Sequence, residues 1–216
     1  MEFRGWSERA IEFYEGLEAD NSKTYWQANK AAYEELVLAP TQALLSELAA
    51  EFGEAKIFRP YRDVRFSADK SPYKTAIAAS LTDGGYIQLS AHGLGAGSGM
   101  YMLASDQLER YRAAVAEDRT GTELAALVTT ATKAGLEVTG HESLKTVPRG
   151  YPKDHPREDL LRQKGLITWK QWPVARWLGT AAAKDRIAGF FHASAPIGAW
   201  LDSNVGPSTA ETTSRR

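Results

Sequence analysis

The chain contains no cysteine. That removes disulfide frameworks, thiolate metal sites and thiol catalysis together, and it fits a reducing compartment. Net charge is also lacking: 26 Lys and Arg stand against 27 Asp and Glu, giving a formal charge of −1. No global field gathers nucleic acid or an anionic membrane surface, so any such binding would have to be local. No stretch approaches the ~18 consecutive apolar residues that a membrane span needs. The N-terminal MEFRGWSERAIEFYEG mixes charge into its apolar positions, so neither a signal peptide nor a membrane anchor is expected there. The reading is a cytoplasmic protein.

Several chemistries are absent as motifs. His92, His141, His155 and His192 are scattered, with no H-E-x-x-H or His-x-His spacing, so no metal is expected. No G-x-S-x-G elbow marks a serine nucleophile, and Ser67 and Ser71 read as turn and cap residues. The glycines of HGLGAGSG fall at 93, 95, 97 and 99, which is neither G-x-G-x-x-G nor a P-loop, and no cofactor is expected. Glycine at every second position instead bares one face of an extended segment, against which an aromatic helix is expected to pack.

What is present is an α+β pattern in 216 residues, enough for one compact domain over residues 1–207. Three N-terminal helices are expected. Ser7 caps the first, Asp20 or Asn21 the second, and Ala39-Pro40 breaks the second from the third, which Gly53 ends. Residues 56–103 change to strands and turns. Lys56–Pro60, Arg62–Ser67 and Tyr73–Leu81 read as extended, and Asp83-Gly84-Gly85 marks a hairpin into Tyr86–His92. Helices resume at Ser105 and at the capping box Thr120-Gly-Thr-Glu123, closed by Lys133 and Gly135. A strand at Glu137–Thr139, a helix after Asp154, a strand over Gly165–Pro173 and helices around 174–190 and 195–203 complete the chain. The expected fold is a central, mostly antiparallel sheet of about five to six strands flanked by N-terminal and C-terminal helices. The polar, aperiodic residues 208–216 are expected to be a disordered tail. The six tryptophans read as core and not as a stacking platform for bases.

One segment stands out. KIFRPYRDVRFSADKSPYK, residues 56–74, sets Lys56, Arg59, Arg62, Arg65, Lys70 and Lys74 against only Asp63 and Asp69. As a strand, Arg62–Ser67 would bury Val64 and Phe66 on one face and keep Asp63 beside an arginine on the other. Asp69 is placed to fix the following turn by accepting backbone hydrogen bonds. Arginine forks and lysine point charges suit a carboxylate or phosphate, so Arg59, Arg62, Arg65, Lys70, Tyr73 and Lys74 are candidate ligand-binding residues. The plainer alternatives are a structural ion-pair network and a partner surface. A second loop, SLKTVPRGYPKDHP at residues 143–156, is too long for a simple connection. It adds Arg149 and His155 to the candidates, if it folds over the first segment.

GLEADNSKTYW at 16–26, KIFRPYRDVRFSADKSPYKT at 56–75 and LKTVPRGYPKDHPREDLL at 144–161 together resemble the family of domain of unknown function 2461. The resemblance runs over residues 3–207, and RDVRFSADKSPYK is its most distinctive block. It implies one domain whose motif segments belong to one design, and it brings no activity, cofactor or catalytic residue. A small anionic, even phosphorylated, ligand is the expected partner. A near-neutral chain argues against nucleic acid, and neither oligomeric state nor a reaction follows from these residues.

Overall fold

A computed structural model describes residues 2–209. Its core is one six-stranded antiparallel sheet in the order β1-β2-β3-β4-β6-β5, with helices before, between and after the strands, which is the expected α+β class. The chain divides into two compact units, Met1–Ala96 with Gln171–Phe190, and Gly97–Lys170 with Phe191–Arg216. Among the described residues, no helix is long and apolar enough to cross a membrane.

The first unit opens with α1 (Glu8–Ala19) and α2 (Lys23–Ala32). Ser7 stands at the N-cap of α1, but its hydroxyl makes no capping bond. Ser22, and not Asp20 or Asn21, caps α2 by accepting the Tyr25 N–H at 3.1 Å. Ala39-Pro40 does not break the chain. A π-helical segment, Tyr33–Leu38, carries α2 straight into α3 (Ala39–Phe52). Proline lacks an N–H and its ring collides with the carbonyl four residues back, and a widened turn relieves both problems. Gly53 ends α3 at φ +78°, as expected of a glycine terminator.

The strands β1 (Ala55–Ile57), β2 (Ala76–Leu81) and β3 (Gly85–Ser90) form an antiparallel meander with Ala79 opposite Ile57 on one side and Ile87 on the other. Gly84, at φ +84°, turns the expected hairpin. Trp6, Tyr14, Leu17, Leu44, Ile87 and Leu89 are fully buried in this unit. The Trp6 indole donates to Thr41 Oγ1 at 3.0 Å, so burying that ring leaves no orphan donor.

β4 (Gly93–Met100) and β6 (Leu166–Trp172) each pass from one unit to the other. At Gly93, Gly97 and Gly99 the nearest neighbours are backbone of β6 and the residues just after it, and a tryptophan ring of β6, in place of the expected aromatic helix. A Cβ at Gly93 would lie 2.2 Å from the Trp172 carbonyl oxygen, and one at Gly97 3.0 Å from the Trp169 ring. Ladder partners and a large flat ring both need that bare surface.

In the second unit, α4 (Ser105–Ala116) is followed at once by α5 (Asp118–Lys133). The expected capping box at Thr120 lies inside α5, and the cap is Glu117. Its carboxylate accepts the Arg119 N–H at 3.0 Å and the Thr120 N–H at 2.7 Å. After β5 (Glu137–Thr139) come a four-residue α6 (Glu158–Leu161) and β6. The two helices expected near the C-terminus are instead a 3₁₀ turn, Arg176–Gly179, and one continuous α7 (Ala182–Asn204) with Pro196 inside it. Tyr111, Leu124, Leu161 and Leu166 are fully buried here, and the Trp200 indole donates to the Thr120 carbonyl at 3.0 Å. Of the expected tail, Ser208 and Thr209 hydrogen-bond to Asp106 at 2.8 and 2.7 Å, and residues 210–216 lie outside the described residues.

Candidate functional site

The signature segment closes on itself at one antiparallel bridge, Tyr61 with Tyr73. The Arg62 N–H donates to the Pro72 carbonyl at 2.9 Å, and the Lys74 N–H to the Pro60 carbonyl at 2.8 Å. These bonds flank the bridge, so the two tyrosines form a non-hydrogen-bonded pair, the kind whose side chains approach most closely. Their rings are 5.4 Å apart. In such a pair the N–H and C=O of Tyr73 point away from Tyr61, and Asn21 takes both. Its Nδ2 donates to the Tyr73 carbonyl at 3.0 Å, and its Oδ1 accepts the Tyr73 N–H at 3.1 Å. One side-chain amide stands where a third strand would. Trp26, one turn into α2, stacks on Tyr73 at 4.5 Å with the rings 10° apart. Two of the three motif segments, 16–26 and 56–75, are therefore parts of one construction.

Between Pro60 and Pro72 the segment is a braced loop and not the expected strand over Arg62–Ser67. Side chains outcompete a ladder here. Arg62 pairs with Asp69, whose other oxygen accepts the Ser71 N–H at 2.9 Å and the Ser71 hydroxyl at 2.6 Å. Asp63 takes both prongs of the Arg65 guanidinium, Nε at 2.9 Å and Nη2 at 2.7 Å, and also the Arg65 N–H at 3.2 Å. Lys70 Nζ donates to the Val64 carbonyl at 3.0 Å. Local side-chain bonds of this type offer the backbone an alternative to sheet pairing. Without the strand, Val64 and Phe66 do not share a buried face, and Phe66 is 96% exposed.

The same bonds set the electrostatics. Hydrogen bonds from the Arg65 side chain, then from its N–H, hold the Asp63 carboxyl down at about 2. The Ser71 hydroxyl, then its N–H, then Arg62 hold Asp69 well below the ordinary carboxylate range. The loop's two carboxylates are thus committed to its own arginines and backbone. Other cations are left over. Arg59 is exposed and makes no hydrogen bond or ion pair among the described residues, though its charge contributes to lowering Asp63. Lys74 lies 5.4 Å over the Phe58 ring with no carboxylate partner among the described residues. Six of the eight candidate residues, Arg59, Arg62, Arg65, Lys70, Tyr73 and Lys74, stand together on this loop and its bridge.

Arg149 and His155 belong to the second unit. Arg149 is exposed and has no partner among the described residues. His155 Nδ1 accepts the Arg157 N–H at 3.1 Å. Arg157 itself is a staple. It donates to the Val115 carbonyl at 2.7 Å and the Ala116 carbonyl at 3.0 Å, closing the C-terminal end of α4, and it pairs with Asp118 at 3.1 Å.

Asn21, Trp26 and Tyr61 complete the bridge in the first unit, and the sequence does not announce them. Asn21 reads there as a helix cap, and Trp26 and Tyr61 as ordinary aromatics. Trp26 is 4% exposed, and its Nε1 has no hydrogen-bond partner among the described residues.

No curated protein and no solved structure matches the chain. A family model described as a conserved hypothetical protein, DUF2461, matches residues 9–200 and so takes in all three motif segments. The chain belongs to the DUF2461 family.

Proposed function

We propose that the signature loop is a rigid recognition element that receives an anionic group, a phosphate or a carboxylate, on Arg59, Lys70 and Lys74. One observation carries this reading: Asp63 and Asp69 neutralise Arg65 and Arg62, while Arg59 and Lys74 have no carboxylate partner among the described residues. The paired arginines stiffen the loop, and a stiff loop spends less of its binding free energy on ordering. Lys70 keeps two of its three N–H donors after bonding to Val64. A cytoplasmic location belongs to the same proposal and is supported by a chain without cysteine.

Thermal-shift and calorimetric titration with inorganic phosphate, pyrophosphate, nucleotides, sugar phosphates and carboxylic acids tests the proposal. One of these anions is expected to raise Tm. Arg59→Ala and Lys74→Ala should leave the free protein's Tm nearly unchanged and weaken that ligand about tenfold, the loss of one charge-assisted hydrogen bond. Arg62→Ala should lower Tm with no ligand present. An Arg59→Ala/Lys74→Ala double variant that responds like the parent removes the proposal.

A second reading has its own support. Phe66, 96% exposed at the head of the loop with Arg65 5.9 Å from its ring centroid, suits an anchor for a protein partner, and the signature would then serve an interaction module. Retained anion binding in Phe66→Ala separates the two.

A further inference from the structure

The sheet has an open edge beside a groove, and both belong to the first unit. β1 is an edge strand. The Phe58 N–H donates to the Ala78 carbonyl and the Thr82 N–H to the Glu54 carbonyl, both at 2.9 Å. With Ile57 opposite Ala79 and Ala55 opposite Leu81, these bonds make 55 and 57 the non-hydrogen-bonded positions of the ladder. The N–H and C=O of both residues therefore point away from β2. An open groove of about 520 Å³, lined by residues of α3 and by Ala55 and Ile57 themselves, runs between α3 and β1. Leu45, Ala49, Ala55 and Ile57 give it apolar lining, Gln42 and Ser46 add polar groups, and Glu54, exposed and without a side-chain partner among the described residues, also lines it.

We propose that this groove docks a short extended peptide that adds to β1 as a seventh strand. The unpaired backbone specifies the occupant. Two donors and two acceptors, two residues apart on one strand, match the spacing of alternate residues on another extended strand. The peptide's groove-facing side chains, also alternate, meet Leu45, Ala49 and Ile57 and so are aliphatic. A lysine or arginine at one end meets Glu54. The volume is in the range of known ligand sites. The Lys56 side chain points to the opposite face of the strand and takes no part.

The probe is a positional library of blocked six-residue peptides, with valine, isoleucine or leucine at alternate positions and a terminal lysine. It is titrated into the full chain with amide NMR and hydrogen exchange as readouts. In the free protein the Ala55 and Ile57 amides should exchange faster than those of Lys56 and Phe58. A binding peptide should slow them at least tenfold and shift their resonances. Ala49→Trp, which fills the groove from α3, and Ala55→Pro, which removes one outward N–H, should each weaken binding at least tenfold. Lys56→Ala should not. Unchanged binding in Ala49→Trp overturns the proposal, as does a library with no member that protects the two amides at millimolar concentration. Protection that appears without peptide and grows with protein concentration assigns the edge to a second copy, and it overturns the proposal as well.

Discussion

Asn21 spans 52 residues to hold both backbone groups of Tyr73. A carboxamide carries one acceptor and a donor group in fixed geometry, so it can substitute for a strand neighbour where a carboxylate cannot. Asn21→Ala is expected to cost about 2 kcal/mol, because the Tyr73 N–H and C=O lose their partners. In a chain of this size that is a fall in Tm of about 4–8 °C. Asn21→Asp should fall as far, since its second oxygen would face the Tyr73 carbonyl. Thermal unfolding of the three proteins checks both statements. Trp26 sets a different balance. Its ring packs on Tyr73 and Tyr33, but its indole N–H has no partner among the described residues. Trp26→Ala removes the ring and should cost about 3–5 kcal/mol. Trp26→Phe keeps an aromatic and relieves the orphan donor, so urea denaturation should show it losing less than half as much. Neither role is legible in the sequence, where Asn21 reads as a helix cap and Trp26 as core.

At the scale of elements, the strands of the meander, with buried Ile87 and Leu89 alternating along β3, follow the sequence periodicity closely. The boundaries between helices do not. Pro40 is a reliable breaker only if the turn before it is α-helical, and here it is π-helical. Pro196 is likewise accommodated inside α7. At the junction of α4 and α5, Thr120-Gly-Thr-Glu imitates a helix start, but Glu117 reaches the free N–H groups first. Gly121 is needed there for space. A Cβ would lie 2.1 Å from the Val115 carbonyl oxygen and 2.5 Å from Arg157 Nε. Gly121→Ala is expected to destabilise the protein by about 3 kcal/mol through overpacking, with Arg157 pushed off the end of α4. Chemical denaturation gives the magnitude, and the Arg157 Nε–H resonance should lose its hydrogen-bonded shift. The signature is the element whose shape the alternation of Val64 and Phe66 misstates, because the side chains of Arg62, Asp63, Arg65, Asp69, Lys70 and Ser71 bond locally in place of a ladder.

For the whole molecule, acid is the revealing variable. Asp63, Asp69, Asp106 and Glu117 all have carboxyls held below their ordinary values by hydrogen bonds in the folded chain. A depressed folded-state value means that the folded chain binds fewer protons than the unfolded one. Their contribution is therefore present above about pH 4, the ordinary carboxylate range, and is lost as pH falls toward about 2, where Asp63 and Glu117 titrate. Tm should be flat from pH 7 to about 5 and fall steeply between about 4 and 2. Asp63→Asn should flatten that acid limb, and carboxyl NMR should place the Asp63 midpoint near 2. A limb unchanged in Asp63→Asn would mean that the loop's carboxylates are not coupled to folding.

The sequence by itself determined the α+β class, the meander and its turn, and the concentration of cations at 56–74, because periodicity, glycine and charge act over a few neighbouring residues. Only the tertiary structure decided which of those cations are neutralised, that Phe66 faces solvent, and that Asn21 and Trp26 belong to the signature. Ion pairing and stacking depend on distance through space, and chain closure across 52 residues sets that distance without leaving a local pattern.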